Sequence, residues 1–441
     1  MNRISIAATL VVASAWARTT AAQVDPTAPE PTLSRTGAKC AGPIDADAVA
    51  RCALEASPEV REARALLDAA SARRSGAGVV LPSNPTLTTI FANRRRPPPE
   101  AASVLNWNVT LSQELEIAGQ RGARIEAADA DIVAKTRRVG VAEQEVASGA
   151  LTVFYEAVAS QEALRFATEL AANARALATY AEGRAKEAIV AGVEADVARA
   201  EATRIGLVRF EAERRLTEAR ATLAALIDVD TRALALPAAL PVAAAFEASG
   251  DLEQEALRLR GEVAAAEMER RVLERRLAVV RRERIPNPTL SAFIERGEIN
   301  DRIIGVGLSF PVPLPSPIGR TRAAEIAETM AGIRAAESSV ELVRRRVRIE
   351  VSSALAAFKA RQGAVALFQG DLVGRARADL AALREAIETR QLSLREGLQW
   401  QRSLIELLQA DIDVRLGRAL ALVDLRRVAG LPLLSGKGGA R

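Results

Sequence analysis

Four residues occur twice in this chain, each time at the head of a similar stretch. Asn84-Pro85-Thr86-Leu87 returns as Asn287-Pro288-Thr289-Leu290. Behind each copy comes a segment whose apolar residues recur with period two, then a very long segment without proline. Period two marks a strand with one apolar and one polar face. Proline costs about 3 kcal/mol in a helix interior, so the proline-free stretches 100–236 and 318–431 leave room for very long helices. A strand pair feeding a helical rod, built twice, predicts a mainly α chain with a small β part and an internal two-fold repeat. Such a layout points to an elongated, membrane-crossing protein rather than a compact enzyme.

In the first hairpin (84–115), residues 84–93 and 104–115 read as strands, and 94–102, with its three prolines, as their loop. Leu105, Trp107, Val109 and Leu111 alternate with Asn106, Asn108, Thr110 and Ser112. In the second hairpin (287–313), residues 290–295 form a strand and 296–302 a polar turn. Ile304, Val306, Leu308 and Phe310 then alternate with Gly305, Gly307 and Ser309. Each apolar band has about the 9–11 residues that a tilted membrane strand needs. An unpaired backbone group in hydrocarbon costs several kcal/mol, so such strands must belong to a closed barrel. Four strands cannot close one. Two copies reach the smallest barrels of about eight strands, and three copies give about twelve. In that barrel Asn106, Asn108, Thr110, Ser112 and Ser309 face the water-filled lumen. Leu105, Trp107, Val109, Leu111, Ile304, Val306, Leu308 and Phe310 face lipid. The alternative is a pair of amphipathic hairpins lying on a soluble core, which needs no second copy.

Helical periodicity covers most of the rest. Residues 46–75 and 252–284 read as helices. Gly119-Gln120-Arg121 opens one rod and Gly319-Arg320 the other. Each rod runs for about seventy residues, about 100 Å at helical rise. The rods turn back near Gly192 and Ser393 and return to about Asp228 and Val428. The predicted organisation is a first repeat over 44–230, a Pro/Ala-rich interruption over 231–250, a second repeat over 251–430 and a disordered tail over 431–441. Aromatic residues make up only 3% of the chain, which favours close helix–helix packing over thick cores. A helix of this length cannot bury its apolar stripe alone, so the arms must pack on one another as a coiled coil.

Residues 1–22 read as a secretory signal, with Arg3, a short apolar stretch and a Thr20-Ala21-Ala22 cleavage site, and 23–43 as a flexible Pro/Thr-rich segment. Past the leader no run of about 18 apolar residues occurs, so no transmembrane helix is predicted. Cys40 and Cys52 are the only cysteines, and in an exported chain this close pair reads as a disulfide. The net charge is +5, about +3 without the leader's Arg3 and Arg18, and its Arg is interleaved with Glu, as on solvated helical faces. Nucleic acid is not an expected partner. Histidine is absent, and no phosphate loop or nucleophile motif occurs. The reading is therefore no enzyme, no cofactor and no metal site.

The chain resembles the outer-membrane efflux proteins of the TolC family over about 45–430, and within them the cation-efflux (CzcC-like) branch. The residues that carry this are the two Asn-Pro-Thr-Leu copies, Leu111-Ser112-Gln113-Glu114-Leu115-Glu116 leading to Gly119-Gln120-Arg121, and Leu308 to Pro313 leading to Ile318-Gly319. Leu392-Ser393-Leu394-Arg395-Glu396 with Leu398 and Gln401 belongs to the same pattern. The resemblance implies a homotrimer with a twelve-stranded outer-membrane barrel on a helical coiled-coil barrel crossing the periplasm of a Gram-negative bacterium. It implies a periplasmic adaptor (membrane fusion) protein and an inner-membrane RND pump as partners, with outer-membrane lipid around the strands, and the export of small solutes, heavy-metal cations among them. It also implies that acidic residues early in the last returning arm narrow the periplasmic entrance. Glu396 takes that position. Gln399 stands where a second acid is usual, Arg390 where a glycine is usual, and Asp196 is the comparable acid of the first copy. The other reading of Glu396 and Asp196 is solvated helix charge. A periplasmic coiled-coil adaptor or scaffold without a pore is the competing function.

Overall fold

Proline and the residue before it set the first break. In the computed structural model, which describes residues 40, 42–95, 103–241, 251–296, 301–314, 318, 321–368, 371–389 and 391–433, helix α1 (Ala46–Ala56) ends at Ser57 and α2 (Pro58–Ala77) begins at Pro58. The single helix expected over 46–75 is therefore two. Pro58 pushes Ser57 into an extended conformation (ψ 126°), and the Ser57 hydroxyl then accepts a hydrogen bond from the Val60 amide at 3.2 Å, capping α2. The helix expected over 252–284 is likewise divided at Arg260, into α5 (Leu252–Leu259) and α6 (Gly261–Arg282). The cause there is tertiary. Arg260 is buried between Glu262 and Glu350, and its backbone lies against Gly430.

Strand β2 (Thr86–Arg95) pairs antiparallel with β3 (Ser103–Glu114), β3 with β5 (Thr289–Arg296), and β5 with β6 (Arg302–Ser309). Strand order is thus β2-β3-β5-β6, with β2 and β6 as edges. Phe310 lies one residue beyond β6, and Arg296 and Arg302, read from sequence as turn ends, face each other within the ladder.

The first rod is α3 (Gln120–Lys186), 67 residues without a break, and α4 (Gly192–Leu226) returns beside it. The second rod departs from expectation. It is α7 (Ala323–Ala366) followed, after a turn at Leu367 and Phe368, by α8 (Leu372–Glu388), which begins behind Asp371. Gly370-Asp371 places a residue costing about 1 kcal/mol in a helix interior next to one that favours helix starts. Helix α9 (Leu394–Ala429) returns to Gly430, whose left-handed backbone (φ 69°) closes it.

Apolar clusters succeed one another along the rods rather than forming one core, and the buried face of α3 is mostly alanine. Small side chains let backbones approach closely, which suits a thin-walled rod. The segment ahead of α1 is held: Cys40 is bonded to Cys52, and β1 (Gly42–Pro43) pairs in parallel with β4 (Leu234–Ala235). Residues 40, 42, 43 and 231–235, read as flexible and interrupting, thus belong to one small assembly around buried Ile44, Phe154 and Leu234. Leu431 and Leu433 of the expected disordered tail pack on the α-helical clusters. The predicted signal segment and residues 434–441 lie outside the described residues.

Candidate functional site

Register places the residues of each predicted set on a common face. Across the sheet, Val109 stands opposite Ile294, which faces Ile304, and Leu111 stands opposite Ala292, which faces Val306. Leu308 faces Leu290, and Trp107 faces Phe91. Leu105, Trp107, Val109, Leu111, Ile304, Val306 and Leu308 therefore share one face, joined by Leu87, Phe91, Leu290 and Ile294. This apolar face is the open one: Ile304 is 78% exposed, Val306 81% and Phe91 63%. Phe310, beyond the ladder, is also exposed. Burying one such side chain is worth about 1.5–3 kcal/mol, so a water-facing sheet of this kind forgoes stabilisation many times over.

The opposite face carries Asn106, Asn108, Thr110, Ser112 and Ser309, with Thr86, Thr88, Thr289 and Ser291 beside them. The sequence reading missed the apolar residues of this face, Phe293 with Ile90 and Ile303. Phe293 is opposite Thr110 on one side and Gly305 on the other, and its ring lies against Gly305, where a Cβ would stand 2.5 Å from the ring's Cζ. Gly307 leaves similar room for Ser291, whose hydroxyl donates to the Gly307 carbonyl at 3.2 Å. The alternating glycines were visible in the sequence; the ring they accommodate was not.

Where the sheet meets the rods, the second Asn-Pro-Thr-Leu copy has a defined task. Asn287 donates to the Glu114 carboxylate at 2.8 Å and accepts from the Gln120 amide at 2.8 Å. Gln120, almost fully buried, also donates to the Ile285 carbonyl at 3.3 Å and accepts from the Ala118 amide at 2.9 Å. Arg282 donates to the Ala118 carbonyl at 2.7 Å. Gly119, left-handed at φ 72°, permits the bend, and a Cβ there would meet Arg282. Asn84, the same residue of the first copy, is exposed and has no such partner among the described residues.

At the far end, Leu177, Ala181, Ala195, Leu383, Ile387 and Leu394 gather the two rod tips into one cluster. Glu396 sits there as a helix cap. Its carboxylate accepts from the Ser393 amide at 3.1 Å and from the Ser393 hydroxyl at 2.6 Å, while the Glu396 amide donates back to that hydroxyl. The Ser393 hydroxyl and then its amide hold the Glu396 carboxyl below its ordinary value. Asp196 is exposed and paired with Arg199 at 3.1 Å, and Gln399 is exposed. Gly397 was not singled out from sequence, yet a Cβ there would collide with Ile387 of α8. Arg390 lies outside the described residues.

Midway along the rods is a buried ion cluster that the sequence does not announce. Glu162 of α3, with its side chain 4% exposed, accepts from both terminal nitrogens of Arg415 of α9, at 2.8 and 3.1 Å, and from the Leu240 amide at 3.3 Å. Arg377 of α8 stands 3.6 Å away, and Arg415 also pairs with Asp411 at 2.9 Å. Burial pushes the Glu162 carboxyl up, but Arg415, the Leu240 amide and Arg377 outweigh it and hold the carboxyl below its ordinary value. No helix among the described residues is long and apolar enough to cross a membrane, and no group of three or more metal-ligating side chains converges among them.

A four-stranded sheet with its apolar face outward, carried on helical rods, has solved counterparts. The structure of CusC, described in terms of transmembrane channel formation, superposes with a TM-score of 0.72 at 16% identity, over 88% of this chain and 92% of that one. The fold is that of outer-membrane channels. The CmeC outer membrane channel of Campylobacter jejuni superposes with a TM-score of 0.70 at 15% identity, over 87% of this chain and 85% of that one. The outer membrane protein VceC of Vibrio cholerae gives 0.69 at 16% identity, over 87% and 96%. No family model matches the chain, and no curated protein is similar to it.

Proposed function

We propose that this chain is the outer-membrane channel of a tripartite efflux system of the TolC type in a Gram-negative bacterium. It acts as a passive conduit through which small solutes cross the periplasm and leave the cell. The outward apolar face carries this reading: only hydrocarbon or another apolar surface repays such exposure. The face behind it, rich in hydroxyl and amide groups, suits a water-filled lumen. Four strands leave two open edges among the described residues, so copies must join to close a barrel, and the TolC resemblance makes the working form a homotrimer with a twelve-stranded barrel. The rods then form the periplasmic tunnel, and their tips, with Glu396, Gln399 and Asp196 on exposed helix faces, form the entrance that meets a periplasmic adaptor and an inner-membrane RND pump. Energy comes from the pump, so the chain itself needs neither enzyme chemistry nor a cofactor. Heavy-metal cations are the cargo suggested by the CzcC-like motifs, and a conduit should hold them weakly, since conduction requires release.

Mass determination in detergent and then single-channel recording in planar bilayers test the reading. Discrete openings from a trimer support it. A monomer that remains soluble without detergent and gives no openings would favour a periplasmic scaffold. Glu396→Ala then tests the entrance: altered conductance or cation response assigns it a gate role, and unchanged openings leave it as the cap of α9.

A further inference from the structure

The two edges of the sheet specify how they meet. Strands β2, 10 residues long, and β6, 8 residues long, each have, among the described residues, one hydrogen-bonded neighbour and one free edge. Free edges of this length are templates for another chain. Their register in that chain can be read from the pairing already formed between the two hairpins. Thr86 of the first Asn-Pro-Thr-Leu copy pairs with Ser112 of Leu111-Ser112, and Thr289 of the second copy pairs with Ser309 of Leu308-Ser309. The same motif residues thus face each other in both hairpins, so the hairpins correspond residue by residue. Between them, β3 and β5 pair Val109 with Ile294, Leu111 with Ala292, and Trp107 with Arg296.

Carrying that correspondence to the free edges puts Val306 in the place of Val109 and Phe91 in the place of Ile294. We propose that β6 of one copy pairs antiparallel with β2 of a second copy of this chain, with Val306 opposite Phe91 of the partner subunit, Leu308 opposite the partner subunit's Thr89, and Ile304 opposite the partner subunit's Asn93. The inference rests on the channel reading and adds the register of its seam. It keeps the apolar faces of the two copies continuous: exposed Val306 meets the partner subunit's Phe91, and Phe310, just beyond β6, stands level with the partner subunit's Leu87, while Gly307 and Ser309 meet the partner subunit's Ile90 and Thr88 on the other face. A slip of one residue would turn the apolar row of one copy toward the lumen, so it is excluded by the same hydrophobic cost that holds the sheet in lipid. A slip of two residues keeps the faces and is the register that experiment must separate. The contact is head to tail, and such a contact closes into a ring when its rotation allows.

Cysteine pairs in the full-length protein test the register. Cys40 and Cys52 are bonded to each other and the chain has no free cysteine, so engineered thiols report alone. Residues directly opposite have Cβ atoms about 4.5–5.5 Å apart and diagonal ones about 7–8 Å, while a disulfide needs Cβ atoms about 3.5–4.5 Å apart. Val306→Cys with Phe91→Cys, Leu308→Cys with Thr89→Cys, and Ile304→Cys with Asn93→Cys are expected to give reducible ladders between copies in outer membranes. Val306→Cys with Thr89→Cys or with Asn93→Cys is expected to give none. A trimer that links through the shifted pairs, or through no pair, overturns the register and leaves the channel reading standing. A monomeric mass in detergent, with no ladder, overturns the channel reading as well.

Discussion

Glu162→Ala should weaken the packing of the rods measurably. The carboxylate is 4% exposed, so solvent screens its interactions little, and it serves two arginines and one backbone amide. Removing one member of a buried ion pair costs about 3–5 kcal/mol, chiefly because the remaining charge is stranded. Arg415 keeps Asp411 at 2.9 Å and is 28% exposed, which places the loss near the lower bound, about 3 kcal/mol. Glu162→Gln retains an acceptor for the Leu240 amide and should cost less, about 2 kcal/mol. The assay is urea unfolding of the detergent-solubilised protein monitored by far-ultraviolet circular dichroism, with Arg415→Ala and the double variant completing a cycle. A coupling of about 2 kcal/mol is expected for residues in direct contact. The lowered carboxyl sets the sign of the pH dependence. A group whose folded pKa lies below its ordinary 4.5 contributes fully above 4.5, and the contribution fades as pH falls from there through the folded value. The gap between the natural protein and Glu162→Gln should be constant from neutral pH to about 5 and narrow below 4.5. A cost under about 0.5 kcal/mol, or a gap unchanged at acid pH, would refute the reasoning.

The duplicated asparagines should not be equivalent within one chain: Asn287→Ala removes one of the two acceptors of the buried Gln120 amide and the donor to Glu114, and costs about 1–3 kcal/mol in thermal or urea unfolding, whereas Asn84→Ala has an effect near zero in a monomer held apart by detergent. Gly397→Val should loosen the α8–α9 tip by about 1–3 kcal/mol through its collision with Ile387, seen as faster limited proteolysis at the tip while the sheet end stays protected. Gly305→Val should displace the Phe293 ring toward the lumen and lower single-channel conductance, and adding Phe293→Ala should restore it; a loss that the second change fails to restore would mean a general disturbance of the ladder.

How much of this was legible depended on how local each cause is. The two strand faces were readable because alternation is a nearest-neighbour property: once Leu105, Trp107, Val109 and Leu111 alternate with polar residues, any antiparallel register that respects the faces keeps them together. The break at Ser57-Pro58 was equally local, and the helix expected across it overlooked a serine cap with proline next to it at the first helical position. Ser393 with Glu396 carried the spacing of a capping box, which gives Glu396 a structural task whether or not it also narrows an entrance. The break at Arg260 had no local sign, because its cause is Glu350 on α7 and the backbone of Gly430 at the end of α9. Glu162 is the extreme case. Among the many Glu residues of an Arg-rich helical chain nothing distinguishes it, and its partners Arg377 and Arg415 stand on the second rod and its return. It links the first rod to that second arm and, through Leu240, to the segment between α4 and α5. A residue in that position has to yield or rearrange if the α8–α9 arm swings away from α3. The charge cluster that the sequence hides is thus the natural place to ask whether the rods are rigid pillars or moving parts, and the Glu162–Arg415 cycle measures how strongly they are held.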